Sequence, residues 1–298
     1  GARTLVERGG WRVDGVNKRY KEEDYSATLS VGIPFESRPS SSWTLSFDYD
    51  IDWYRLVKAP VSDMDPGSRV EIHPPTDYVQ AGVGTRVAFS TIRGTTFGLG
   101  PQRGFDGGIS LRFDHPALGG TYRNVTVSYS GDRYQKLWGN TPVLLLRLSG
   151  AFRTGDLSRL GTYGLGGVPA QDVVQSIVDS TRAGATGFLR GYPARTVAGN
   201  QFHLLNLEYR QELWAVEHGL ATLPLYLRRL HFAIFSDTGT AFDGAFDFKR
   251  NMRTSLGGAL RLDAFFGYFV PGTFEIGYAR GLTAGAKNET WFLLTGSL

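Results

Sequence analysis

Apolar and polar residues alternate strictly from Trp43 to Trp53, and this pattern constrains the fold more than any other feature of the chain. The odd-numbered positions of the segment are aliphatic or aromatic, with a tryptophan at each end, and the even-numbered positions are polar and include three aspartates. A period of two is typical of a β-strand with one apolar and one polar face. A tilted strand needs about 9–11 residues to cross a bilayer, whereas about 5–6 are usual in soluble sheets. The pattern therefore predicts a membrane-spanning strand whose apolar face contacts lipid.

Similar alternation recurs along the whole chain and predicts about 12 strands. The predicted segments are 25–35, 43–53, 109–114, 125–130, 205–210, 230–235, 260–266 and 274–278, with further strands near 4–14, 85–97, 143–153 and 290–298. We therefore expect an all-β fold, an antiparallel transmembrane β-barrel, with residues 1–298 forming one outer-membrane barrel domain.

The composition fits this class and excludes others. The mean hydropathy of −0.19 is compatible with a barrel because half of each strand faces a polar interior, and the 39 glycines suit many tight turns. A net charge of +4 is too balanced for a nucleic-acid partner, and the absence of cysteine excludes disulfides and thiolate sites. Because the chain starts at Gly1 and shows no signal peptide, we expect it to be a processed or excised piece.

No sequence pattern of an enzyme is present. The chain lacks a nucleophile elbow, a phosphate-binding loop and a zinc-protease motif, and its five histidines show no metal-ligand spacing. Asp48, Asp50 and Asp52 resemble the start of a calcium loop but lack its glycine and its distal glutamate. We interpret them as an acidic stripe facing arginines of neighbouring strands. We expect a non-enzymatic protein without a catalytic residue, a cofactor or a metal site.

Two long connections interrupt the alternation, at 57–84 and at 154–199. The second is unusually long for a compact domain, which points to a functional role. We expect it to fold into the barrel and plug the interior, with Val173, Val174, Ile177 and Val178 on one side of a short packing helix.

The end of this second loop carries the most specific feature of the sequence, Phe188-Leu189-Arg190-Gly191-Tyr192. An arginine folded into the barrel would be costly without partners, and the alternation of two later strands places Glu208 and Asp237 on inward faces. A glycine at 191 would allow a tight turn, and Tyr192 would pack the tip. We call the predicted set the loop lock, a structural ion pair that anchors the loop: Arg190, Gly191, Tyr192, Glu208, Phe235, Asp237 and Gly239.

Arg190-Gly191-Tyr192 resembles the loop-six motif of the bacterial surface antigen superfamily. This superfamily includes BamA-like outer-membrane assembly factors, TamA-like relatives and two-partner-secretion transporters. Further similarities follow in order over residues 185–298: Gly199-Asn200, Asn206-Leu207-Glu208, Phe235-Ser236-Asp237-Thr238-Gly239, Leu260-Arg261-Leu262-Asp263, Pro271-Gly272 and Phe274 to Leu282.

The resemblance implies that Arg190 holds the loop inside the barrel through Glu208 and Asp237. It also implies a seam between the first and last strands that opens sideways. Barrels of this superfamily usually have 16 strands, whereas the sequence predicts about 12, so the chain is expected to be either an excised C-terminal part of such a barrel or a reduced variant. The sequence departs from the family in lacking periplasmic receptor domains and in ending at Leu298, where an aromatic residue is typical.

The leading functional hypothesis is a barrel in the bacterial outer membrane that assembles, inserts or translocates polypeptides. Its expected partners are outer-membrane lipid, polypeptide substrates and periplasmic domains or accessory proteins encoded upstream, with no nucleic acid. Three alternatives remain open: a barrel that anchors or exports a fused surface enzyme or propeller domain, a passive pore, and a soluble β-sandwich.

Overall fold

Antiparallel β-strands make up most of the described part of the computed structural model of the protein. The structure describes residues 2–13, 16–38, 41–58, 77–94, 100–139, 141–156, 163–167, 189–193, 196–244, 252–267 and 269–296. The strands in these ranges are β1 (Ala2–Val13), β2 (Val16–Arg38), β3 (Ser41–Lys58), β4 (Tyr78–Ser90), β5 (Arg93–Gly94), β6 (Pro101–Asp114), β7 (Asn124–Lys136), β8 (Val143–Gly155), β9 (Tyr163–Leu165), β10 (Val197–Gly199), β11 (Gln201–Gly219), β12 (Leu225–Phe242), β13 (Arg253–Phe266), β14 (Val270–Gly281) and β15 (Asn288–Gly296). A single 3₁₀ turn, Pro116–Leu118, is the one helical element among the described residues.

One sheet contains most of these strands, in the order β1-β2-β3-β4-β6-β7-β8-β11-β12-β13-β14-β15, and β5 adds to β6. Each strand of this path pairs antiparallel with its neighbours. The expected all-β antiparallel sheet of about 12 strands is thereby confirmed. In the described part of the chain no hydrogen-bonded ladder joins β1 to β15, so these two strands are the edges of the sheet.

The sheet exposes its apolar face, which a soluble sheet would bury. Large apolar side chains are exposed on one face, which we call the outer face, for example Leu29 at 71%, Ile109 at 62% and Ile276 at 61%. The opposite, inner face carries buried polar groups such as Asp114 and Asp237. A soluble sheet buries its apolar face, so exposure of the apolar face is the arrangement that strands in contact with lipid require.

The strand β4 differs from its prediction. The sequence predicted a strand near 85–97 and placed residues 78–84 in a loop, whereas β4 covers Tyr78–Ser90. Gly82 and Gly84 stand where polar side chains would be expected, so the alternation of apolar and polar residues was not recognised in this segment. Both lie on the inner face, where the carboxylates of Asp114 and Asp48 occupy the space that a Cβ atom would need. These glycines therefore make room for side chains of neighbouring strands and do not form a turn. Similarly, β2 begins at Val16, well before the predicted segment 25–35.

The second long connection contains structure that the sequence pattern did not reveal. The short strands β9 and β10 pair antiparallel, with Val197 opposite Leu165. Phe188 and the predicted short helix of Val173, Val174, Ile177 and Val178 lie outside the described residues. No helix in the described ranges is long and apolar enough to cross a membrane.

We expect the two faces to respond differently to a charge. Ile109→Arg places a cation on the outer face of β6, and its cost should be about 2–4 kcal/mol of folding free energy in a bilayer. Ser130→Arg is the matched control. Ser130 of β7 pairs with Gly108, the neighbour of Ile109, so it lies at nearly the same depth in the membrane as Ile109, but its side chain faces inward. Urea-induced unfolding in lipid vesicles, followed by tryptophan fluorescence, measures both. An equal loss of stability in the two variants would contradict the assignment of the faces.

Candidate functional site

Arg190 lies at the end of the second long loop and binds Asp237 on the inner face of β12. Its Nε and Nη2 atoms donate to the two carboxylate oxygens of Asp237, each at 2.7 Å, and its backbone N–H donates to the same carboxylate at 3.3 Å. Asp237 is 0% exposed, so hydrogen bonds from protein groups must replace the water that its carboxylate would otherwise bind. A bidentate arginine–carboxylate pair of this kind fixes orientation as well as charge.

Two further groups support this pair. The Nδ2 atom of Asn206, on the adjacent strand β11, donates to Asp237 at 2.7 Å. The guanidinium of Arg190 lies 3.3 Å from the centroid of the Phe235 ring, an arrangement that adds a cation–π attraction. Phe235 is itself buried above Gly257 of β13, where a Cβ atom would lie 2.5 Å from the Phe235 Cζ atom. The position of Arg190 therefore depends on β11, β12 and β13 together.

Glu208 has closer partners than Arg190. Its carboxylate accepts from Arg210 Nε and from Arg261 Nη1, each at 2.6 Å, whereas Arg190 Nη1 lies 3.7 Å away. Arg261 also donates to Glu275 of β14 at 2.6 Å. The sequence predicted both Glu208 and Asp237 as partners of Arg190. Asp237 binds the Nε and Nη2 donors of the guanidinium, and Glu208 lies within ion-pair distance of its Nη1 atom.

These contacts form one connected network of three arginines and three carboxylates: Arg190, Arg210, Arg261, Glu208, Asp237 and Glu275. The formal charges of the six side chains cancel. Burial of ionised groups is tolerated when each group is paired and hydrogen-bonded, which this arrangement provides. The network spans β11 to β14 and fastens the loop to all four strands.

Gly191 cannot be replaced without displacing the loop. Its φ angle of +81° is in the left-handed region, and a Cβ atom would lie 2.6 Å from the backbone nitrogen of Gly281. Its N–H donates to Glu289 Oε2 and its carbonyl accepts from the Lys287 N–H, both at 2.9 Å. Glycine is therefore required both for the backbone conformation and for the close approach to the β14–β15 connection.

Tyr192 is fully buried and binds the same connection. Its hydroxyl donates to the Thr254 carbonyl at 2.6 Å and accepts from the backbone N–H groups of Leu282 and Thr283 at 3.2 and 3.1 Å. The ring thus packs the tip, and the hydroxyl satisfies backbone groups at the start of β13 and in the connection just after β14.

Gly239 borders an apolar cluster at the base of the loop. A Cβ atom there would lie 2.9 Å from Leu204 Cδ1 and 3.1 Å from Leu165 Cδ1. The cluster consists of Ala151, Leu165, Leu189, Tyr192, Val197, Phe202, Leu204 and Ala241, with Tyr163 packed against it. The loop is therefore held twice, by apolar packing of β9 and β10 and by the ion network at Arg190.

The seven residues of the predicted loop lock all lie in this one region of the inner face. Sequence reasoning missed Arg261, Glu275 and Glu289 as partners. The alternation does place Arg261 and Glu275 on the inner face, but it gives no sign of which charges meet across an intervening strand. Glu289 follows the short β14–β15 connection and carries no distinguishing motif.

A second ion cluster lies on the inner face near β3. Arg112 of β6 contacts Asp50 at 2.8 Å, Asp52 at 3.6 Å and Asp114 at 2.8 Å. Arg112 is thus an arginine of the kind that the acidic stripe of β3 was expected to face, although it comes from the second strand along and not from the adjacent one. Among the described residues, no group of three or more histidine, aspartate or glutamate side chains is arranged to hold a metal ion.

A family model described as the Omp85 superfamily domain matches residues 11–279. The match extends well upstream of residues 185–298, where the sequence motifs lie. No curated protein matched the chain significantly.

Replacement of Gly191 by alanine should detach the loop tip. The new methyl group would meet the backbone of Gly281 and of Arg280, neither of which can rotate away. Gly100→Ala is the matched control, because Gly100 has a φ angle of +76° with nothing within 4 Å of the added atom. Limited chymotrypsin cleavage after Leu189, whose side chain is 0% exposed in the docked loop, is the measurement. We expect rapid cleavage in Gly191→Ala alone, and equal protection in both variants would show that the close approach does not hold the tip.

Proposed function

Because the chain belongs to the Omp85 superfamily, whose members are outer-membrane proteins, we propose that it resides in the bacterial outer membrane and inserts or translocates polypeptides there. The superfamily is concerned with protein insertion or secretion in general, and the family match covers most of the chain. The proposed partners are outer-membrane lipid and unfolded polypeptides, together with periplasmic domains or accessory proteins.

The observation that carries the proposal is the loop fastened to the inner face by a balanced ion network. Such a loop occupies the surface along which a polypeptide would pass. Ion pairs and hydrogen bonds hold it, and these interactions exchange without covalent chemistry. A segment held in this way can be released and rebound if another segment offers equivalent contacts. We therefore propose a non-enzymatic machine in which the loop lock sets the resting state.

Two kinds of measurement on the purified protein in liposomes test the proposal. An unfolded β-barrel substrate is added outside, and its insertion is followed by heat-modifiable migration on gels. In a second assay, translocation of an unfolded polypeptide is followed by its protection from protease. We expect activity in at least one of these assays.

Arg190→Ala should lower that activity by about tenfold or more, since removal of one partner of a buried ion pair costs about 3–5 kcal/mol. Arg190→Lys should give an intermediate loss, because lysine keeps the charge but lacks the fork that binds Asp237 twice. Arg93→Ala, which alters an exposed arginine on β5, is the control.

Unchanged activity in Arg190→Ala, together with unchanged protection of the bond after Leu189 from chymotrypsin, would contradict a role for the loop lock. A large and steady conductance of the wild-type protein in planar bilayers, without insertion or translocation, would instead identify a passive pore.

A further inference from the structure

The last strand, β15, is an edge of the described sheet, yet its inner face contacts the loop lock. Within the described ranges its one pairing partner is β14, from Arg280 opposite Asn288 to Gly272 opposite Gly296. Glu289 and Trp291 lie on its inner face, the second of them buried. An edge strand has hydrogen-bonded support on one side only, so contacts made by its inner face contribute more to holding it in place.

Glu289 makes the direct contact. Its carboxylate accepts the Gly191 N–H at 2.9 Å, and the neighbouring Lys287 N–H donates to the Gly191 carbonyl at the same distance. Both backbone polar groups of Gly191 are therefore satisfied by the start of β15 and the residue just before it. Gly191 is buried, and a buried backbone group left without a partner costs about 1–3 kcal/mol.

Trp291 makes a second, indirect contact. Its indole N–H donates to Glu275 Oε1 at 2.7 Å, and the other oxygen of Glu275 accepts from Arg261 at 2.6 Å. Arg261 in turn binds Glu208, which belongs to the network around Arg190. Gly277 of β14 leaves space for the indole, because a Cβ atom there would collide with the ring.

Both contacts exist only while β15 stays in register with β14 and turns its inner face toward the loop. Displacement of β15 away from the sheet would remove the acceptor from the Gly191 N–H and the indole from Glu275. Conversely, departure of the loop would remove these contacts from β15. Two elements that stabilise each other through shared contacts are coupled reciprocally.

We propose that Glu289 is a positioning residue that couples the docked loop to the edge strand β15, so that release of the loop and displacement of the strand favour each other. This coupling identifies β15 as the strand that is linked to the loop lock. Only its biological role rests on the proposed function. In a polypeptide-inserting machine, a chain that displaces β15 would loosen the loop that occupies its path.

Hydrogen exchange of the full chain in liposomes, read by mass spectrometry, tests the coupling in both directions. In Glu289→Ala we expect exchange at least tenfold faster at the loop tip, residues 189–193. In Arg190→Ala we expect a comparable acceleration in β15, although the hydrogen bonds and ion pairs of Arg190 described above go to β11 and β12. Glu289→Gln keeps an acceptor oxygen and should restore most of the protection of the tip.

Thr290→Ala is the matched control, because Thr290 is on the same strand and is exposed on the outer face. It should leave exchange at the tip unchanged. Amides of β7 and β8 report general loosening and should be unaffected in every variant. Since the chain has no cysteine, single cysteines introduced at the tip and on β15 also allow a spin-label distance measurement without background.

The coupling would be overturned if Arg190→Ala left β15 exchange at the wild-type rate, or if Glu289→Ala left the tip protected. Should Glu289→Ala fail to fold, the Arg190→Ala and Glu289→Gln measurements decide the question. The outcome is separable from that of the proposed function. Reciprocal changes in exchange without insertion or translocation by the wild-type protein would keep the coupling and refute the function.

Discussion

The burial of Asp237 determines how this part of the molecule is organised. A carboxylate with no exposed surface needs partners that replace its hydration, and the closest strong donor is Arg190, which comes from a loop and not from the sheet. The arginine must therefore reach the inner face of β12, and the chain around it must turn sharply at Gly191. This requirement accounts for the docking of the loop and for the stacking of the Arg190 guanidinium on Phe235. It also accounts for the charge-balanced network that extends to β14.

Much of this arrangement could be predicted from the sequence, and the part that could not has a definite physical reason. A period of two assigns each residue of a strand to one face, so the inward positions of Glu208 and Asp237 followed from apolar neighbours alone. The period does not determine which charges meet across an intervening strand, because that depends on register and on the path of the loop. Glu208 thus turned out to be nearer to Arg261 than to Arg190, and the contact of Glu289 with Gly191 had no sequence signal.

The two ion clusters of the inner face share one construction. In each, an arginine reaches carboxylates that are not on its adjacent strand: Arg112 of β6 contacts Asp50 of β3, and Arg261 of β13 contacts Glu208 of β11. On β4, between the first pair of strands, Gly82 and Gly84 leave the space that the carboxylates of Asp114 and Asp48 occupy. Their small size had made this segment resemble a loop in the sequence, although its function in the sheet is to admit charged side chains.

The seating of Phe235 over Gly257 and of Trp291 over Gly277 has a consequence for the evolution of this sheet. In each pair a ring fills the volume that the absence of a side chain leaves open. A side chain acquired at either glycine excludes the ring, whereas loss of either ring leaves a void beside the ion network. Neither partner can therefore drift independently. We therefore expect the two positions of each pair to covary among related sequences. This covariation would reflect the pairing of β12 with β13 and of β14 with β15.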